Sequence, residues 1–199
     1  MPFYGLTGGI CTGKSTASKI LSELGAHIID ADEIARELLS KDSPLLKIVA
    51  KTFGEGILNP DGSLNREELG RMVFSDKILL NKLNLLTHPL IIKKIREKKA
   101  ELERTHPNDI IILDAPLLYE TELDKTVEKV IVISSTREEQ MRRLIQLRGM
   151  KKEDAENRIN SQMPIDDKVK RADYVIDNSG TIDDLRRQVE DLFKEITSL

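Results

Sequence analysis

Tryptophan is absent from this sequence, cysteine occurs once, and aromatic residues amount to only 4%. Too few rings remain for a platform on which nucleic-acid bases could stack. A single cysteine, Cys11, excludes an intrachain disulfide and a cysteine metal cage. No apolar run approaches the ~20 residues needed to cross a bilayer, and no cleavable leader is expected ahead of the apolar run at Phe3. Positive charge is not in excess either: the net charge is −3, which argues against a large phosphate-backbone footprint. These absences fit a cytoplasmic protein, monomeric or a weak homo-oligomer, that engages neither nucleic acid nor membrane. What is present is a chain of 199 residues, 39% hydrophobic and 33% charged, enough for one compact domain with insertions. An anionic ligand would have to be met by local basic clusters.

Five short, continuously apolar and β-branched runs read as strands covered on both faces: 3–6, 26–29, 110–113, 130–133 and 174–176. Helical patterns separate them. One spans 14–24 and stops at Gly25. Another is capped by Thr181, with Leu185, Val189, Leu192 and Ile196 along one face. Alternating β and α elements predict a doubly wound α/β fold with a five-stranded parallel sheet. The stretch 34–104 departs from the alternation and holds helices alone. Ser43-Pro44 and Asn65 start helices there, Ser75 is expected to open a third, and Pro89 to break it or begin the next. A second polar, arginine-rich helical segment covers 137–168.

Between the first strand and first helix lies Gly8-Gly9-Ile10-Cys11-Thr12-Gly13-Lys14-Ser15-Thr16, the pattern G-x-x-x-x-G-K-S. By chance the pattern arises in about one chain in a hundred of this length. Its glycines let the backbone curl so that amide N–H groups point at a polyphosphate, and the helix N-terminus adds its positive dipole end. Lys14 is expected to reach the β- and γ-phosphates of ATP, and the Ser15 hydroxyl to ligate Mg²⁺.

Ligands of such sheets bind beyond the carboxyl ends of the strands. After the second strand comes Asp30-Ala31-Asp32; in an extended segment both carboxylates would share a face, and Asp32 is favoured as the base that accepts a hydroxyl proton. Asp30 or Asp32 as a plain helix cap is the competing reading. Asp114, ending the third strand, is a candidate Mg²⁺-water ligand. Arg142 and its neighbours on the helix after Ser134-Ser135-Thr136 could close over ATP as a lid. His88 could contact an anionic substrate, whereas His27 and His106 carry no signal. Cys11 is expected to keep φ negative, since only glycine is free to do otherwise.

These residues resemble the dephospho-CoA kinase family nearly end to end. The matching strings include 6–16, Asp30-Ala31-Asp32, Leu64-Asn65-Arg66, Val73-Phe74, His88-Pro89-Leu90-Ile91, Pro116-Leu117-Leu118-Tyr119-Glu120, Gln140, Arg142-Arg143, Arg158, Gln162 and 172–178. The resemblance implies a P-loop nucleotide-kinase core (1–33, 105–136 and 169–199), a helical substrate domain at 34–104 and a lid at 137–168. It implies γ-phosphoryl transfer from ATP, with Mg²⁺, to the ribose 3′-hydroxyl of dephospho-CoA. Asp32 is then the general base, Lys14 and Arg142 catalytic cations, and Asn178 a residue near the adenine. Arg66, His88 and Leu117 would line the acceptor. Cys11-Thr12 departs from the family, where Gly-Ser is commoner. A nucleoside or nucleotide kinase of the same fold is the nearest rival; a nucleotide switch is a rival of another class, although Asn81-Lys82-Leu83-Asn84 lacks the aspartate of a guanine-reading string.

Overall fold

The computed structural model describes residues 1–198, the side chains of Phe74 and Ser75 excepted. The strands are β1 (Phe3–Gly8), β2 (His27–Asp30), β3 (Ile111–Asp114), β4 (Lys129–Ser134) and β5 (Tyr174–Asp177). Among the described residues they form one parallel sheet in the order β2-β3-β1-β4-β5. Each lies within two residues of its sequence expectation, because continuous Val/Ile/Leu runs tolerate burial on both faces. The register aligns Leu6 with Asp114, Gly8 with Ile133 and Ser134 with Asp177, so these strands finish along one carboxyl edge.

The helices are α1 (Lys14–Glu23), α2 (Ala31–Leu38), α3 (Pro44–Phe53), α4 (Arg66–Ser75), α5 (Lys77–Thr105), α6 (Arg137–Arg148), α7 (Lys152–Asn160), α8 (Ile165–Arg171) and α9 (Ile182–Thr197). The chain divides into two compact units: residues 1–29 with 101–199, and residues 30–100. In the first, α1 and α9 cover the sheet through Ile20, Leu21, Leu185, Val189, Leu192 and Ile196. Burying each such aliphatic side chain is worth about 1.5–3 kcal/mol. Thr181 and Asp184 close α9 with a reciprocal capping box.

The second unit has its own core, in which Leu39, Leu45, Val49, Ile57, Leu69 and Val73 pack with Leu79, Leu80, Leu83 and Leu86 of α5. Ser43 caps α3 by accepting from Leu46 N at 3.1 Å, and Asn65 caps α4 by accepting from Glu68 N at 3.0 Å. Two expectations fail here. α5 is opened by Asp76, whose carboxylate accepts from Ile78 N at 2.7 Å; the backbone of Ser75 ends α4, and its side chain, like that of Phe74, lies outside the described residues. Pro89 neither ends nor begins a helix but sits inside α5. Packing of the leucines ahead of it offsets the ~3 kcal/mol that an interior proline costs.

Candidate active site

The segment from Gly8 to Lys14 links β1 to α1, and its shape is dictated by what stands behind it. At Gly13, φ is +92°, and a Cβ would lie 2.0 Å from Asn178 Nδ2. A Cβ on Gly8 would lie 2.6 Å from the Ile133 carbonyl oxygen, and one on Gly9 would lie 2.5 Å from Gln140 Nε2. The glycines therefore serve close approach as much as curvature. Cys11 overturns its expectation: φ there is +57°, in the left-handed region that costs an ordinary residue about 1–2 kcal/mol. The Arg143 guanidinium donates to the Cys11 carbonyl at 3.1 Å and helps hold that conformation.

Other side chains brace the loop from the rear. Asn178 Nδ2 donates to the Thr12 carbonyl at 2.8 Å, and Arg143 Nη2 donates to the Asn178 carbonyl at 2.7 Å. Gln140 Nε2 donates to the Ile10 carbonyl at 2.8 Å, while Gln162 Oε1 accepts from Ile10 N at 2.9 Å. Thr12 is fully buried and turns its hydroxyl onto the Gly9 carbonyl at 2.9 Å. With these contacts made, the amides of Cys11, Gly13, Lys14 and Ser15 carry no hydrogen bond among the described residues. They are the unsatisfied donors of a helix start and its leading loop. Thr16 N is returned to the Gly13 carbonyl at 3.0 Å, inside the first turn.

Lys14 forms an ion pair with Asp114, the last residue of β3. Behind it, Lys168 of α8 is completely buried; its ammonium donates to the Pro116 carbonyl at 2.7 Å and to the Glu120 carboxylate at 3.0–3.1 Å. Burial pushes Lys168 below its ordinary pKa, Glu120 opposes that, and the charge of Lys14 adds to it. Glu120 also accepts from Met163 N at 3.0 Å, tying the α7–α8 connection to the segment after β3.

The expected residues stand differently toward the loop. Asn178, expected near the adenine, is buried with its amide committed to Thr12, so it supports the loop from behind. Arg142 forks onto Glu139 at 2.6 and 2.8 Å and reaches Gln146 at 3.1 Å, with its side chain about half exposed (49%). Arg142 and Arg143 together hold Glu139 down at a pKa of about 2. Arg143, one residue on, is the arginine that touches the loop. Leu117 is partly exposed, and Ser15 lies exposed in the first turn of α1. The segment 137–168 is not one element: α6, α7 and the start of α8 share it, anchored at Gln140, Arg143, Gln162 and Lys168.

In the second unit, Asp30 and Asp32 do not share the face of an extended segment. Asp30 is the N-cap of α2 and accepts from Glu33 N at 3.0 Å, which starts the helix before Asp32. Asp32 occupies the first turn of α2. Arg66 opens α4 and is exposed. His88 lies on α5 beside Pro89, Ile92, Lys93, Arg96, Glu97 and Ala100, along a groove of about 720 Å³ in which Glu97 stands 3.9 Å from the Lys93 ammonium. Burial pushes the pKa of His88 below the ordinary imidazole value.

Sequence reasoning missed Lys168 entirely and gave Gln140, Arg143, Gln162 and Glu120 no individual role. Lys168 stands among charged residues, Asp166-Asp167-Lys168-Val169-Lys170-Arg171, and only tertiary packing distinguishes it from its neighbours.

Residues 3–184 match the family model described as dephospho-CoA kinase. The chain is 47% identical over 189 residues to the dephospho-CoA kinase of Carboxydothermus hydrogenoformans, covering 95% of this chain and 91% of that one. Its fold is similar to a solved protein from Thermus thermophilus, with a TM-score of 0.83, 30% identity and coverage of 98% and 97%. It is also similar to the solved dephospho-CoA kinase from Campylobacter jejuni, with a TM-score of 0.73, 31% identity and the same coverages. Among the described residues no helix is long and apolar enough to cross a membrane.

Proposed function

The chain belongs to the dephospho-CoA kinase family, and on that premise we propose that it transfers the γ-phosphoryl group of ATP to the ribose 3′-hydroxyl of dephospho-CoA, giving CoA and ADP. The observation that carries this reading is the set of loop amides left without partners at the head of α1, held in place by a rear brace of Asn178, Gln140 and Arg143. A triphosphate supplies the acceptors those amides lack.

Phosphoryl transfer asks the protein for position and charge rather than covalent chemistry. Lys14 exchanges Asp114 for the β- and γ-phosphate oxygens and neutralises charge as it develops. Asp32 accepts the proton of the 3′-hydroxyl. Its place in the first turn of α2 puts the carboxylate on the segment that directly follows β2. Arg142, bonded among the described residues only to residues of its own helix, can turn from Glu139 to a phosphate when the 137–168 segment closes as a lid and excludes water. The Ser15 hydroxyl and Asp114 carboxylate are hard oxygen donors that fit Mg²⁺, which when bound screens the phosphate oxygens. The 34–104 helices are the acceptor domain. There His88, Lys93 and Arg96 offer polar groups to the diphosphate of dephospho-CoA, beside the apolar surface of Pro89, Ile92 and Ala100, while Arg66 and Leu117 complete the acceptor contacts.

Incubating the pure protein with ATP, Mg²⁺ and dephospho-CoA should yield CoA and ADP by mass. Parallel reactions with adenosine and AMP should yield nothing comparable. A higher kcat/KM on either of those would move the chain to nucleoside or nucleotide phosphorylation.

A further inference from the structure

Two histidines with no signal in the sequence come together away from the phosphate loop. His27 is the first residue of β2, His106 follows the last residue of α5, and Asp109 lies in the turn before β3. Backbone bonds fix all three positions: His27 N donates to the Ile110 carbonyl at 2.9 Å, Asp109 N to the His106 carbonyl at 3.1 Å, and His106 N to the Leu102 carbonyl at 2.7 Å. The imidazole rings stack with centroids 4.3 Å apart, tilted by 48°. His27 Nε2 is 2.8 Å from Asp109 Oδ2, and one ligand atom from each residue lies within 4.8 Å of the others.

We propose that His27, His106 and Asp109 form a binding site for a zinc-type divalent cation, distinct from the Ser15–Asp114 residues that serve Mg²⁺. Two imidazoles and one carboxylate are the donor set of borderline divalent ions, Zn²⁺, Co²⁺, Ni²⁺ or Cu²⁺, whereas Mg²⁺ prefers oxygen donors. Ligand bonds of about 2.0–2.2 Å around a tetrahedral ion place the donor atoms about 3.3 Å apart, which small rotations of two side chains achieve. The Thr105 hydroxyl engages His106 Nδ1 at 2.8 Å and leaves Nε2 for the metal. The side chains of His27 and Asp109 are 26% and 44% exposed, so the ion has an entry path and room for a water ligand. The site sits where the chain is about to leave the first unit, two residues before Ile29, and where it has just returned, five residues after Glu101. A bound ion would therefore clip both crossing segments together within the first unit. This inference goes beyond the kinase reading and does not depend on it.

The test uses the full chain stripped with chelator and free of nucleotide. Zn²⁺ titration by calorimetry, with Co²⁺ visible absorption as a coordination probe, should give one site per chain and a four-coordinate cobalt spectrum. H27Q, H106Q and D109N should each weaken Zn²⁺ by at least about 100-fold, the upper end of what the loss of a supporting partner costs. Kinase turnover with Mg²⁺-ATP should stay at the parent value in H106Q, which alters an exposed side chain and keeps the fold intact. Excess Mg²⁺ should leave the cobalt spectrum unchanged. Undiminished Zn²⁺ affinity in H106Q, binding only at millimolar concentration, or loss of Zn²⁺ in a Ser15–Asp114 variant instead of the histidine variants would overturn the proposal.

Discussion

Among the loop glycines Gly13 leaves least room for a Cβ, because Asn178 stands against it, and this sets up a quantitative test. In Gly13→Ala the new Cβ inherits φ +92°, a strain of about 1–2 kcal/mol, and lands 2.0 Å from Asn178 Nδ2. Asn178 must withdraw, and its 2.8 Å bond to the Thr12 carbonyl breaks. Thr12 and Asn178 are both buried, so losing that bond costs about 1–3 kcal/mol. Gly13→Ala should then destabilise by about 2–5 kcal/mol and Asn178→Ala by about 1–3 kcal/mol. In the double variant the bond is lost only once and the clash has no partner. Its cost should match that of Gly13→Ala alone, leaving a coupling of about 1–3 kcal/mol in the cycle. Urea unfolding of the four proteins, with equal slopes, measures this directly. If the two single effects add within about 0.5 kcal/mol, Asn178 does not brace Gly13 and the account of the loop is wrong.

Three further outcomes are expected. Asp32→Asn should lower kcat by at least ~10²-fold with ATP affinity nearly unchanged, the range for loss of a general base; near-parent turnover would reassign the proton acceptor. Cys11→Gly should raise stability by about 0.5–1 kcal/mol in thermal unfolding, because it releases the strain of φ +57°, and a fall would show that the cysteine side chain contributes more than its backbone costs. His88 has its pKa held below 6.5 by burial, so the unfolded chain takes up the proton first as pH falls. The stability that its neutral form supports above pH 6.5 is lost below that value, through the folded pKa, and His88→Asn should flatten this part of the stability–pH curve. An unchanged slope would place the titration elsewhere.

The sheet and the loop were legible because their signals are local. Uninterrupted apolar runs announce covered parallel strands, and the glycine spacing before Lys14 announces a curled loop ahead of a helix. Caps such as Ser43, Asn65 and Thr181 were readable for the same reason, each bonding an amide three residues on. Failures occurred where tertiary packing overrides a local rule. Pro89 stays helical because apolar side chains earlier on α5 are packed into a core. Cys11 accepts a positive φ because the loop around it is held at Ile10, Thr12 and Gly13 by distant residues. For Asp30-Ala31-Asp32 the helix-cap alternative holds for Asp30, whose side chain starts a helix immediately and moves Asp32 to its first turn, off any shared extended face. Lys168 and the His27–His106–Asp109 cluster join residues far apart in the chain, and nothing in their neighbouring sequence marks them.

Lys14 and Asp114 connect these observations to the handling of charge. Their side chains are 15% and 8% exposed, and with no nucleotide each is the other's compensation. On the kinase reading Lys14 turns to a triphosphate, which takes from the Asp114 carboxylate its partner while more negative charge arrives. An ionised group so poorly hydrated is tolerated only with a new cation or a proton. Lys168 does not fill that role, because its ammonium is committed to Glu120 and the Pro116 carbonyl. The kinase reading therefore requires nucleotide and divalent-ion binding to be linked through Asp114. By reciprocity, the factor by which the bound ion tightens the triphosphate equals the factor by which the triphosphate tightens the ion.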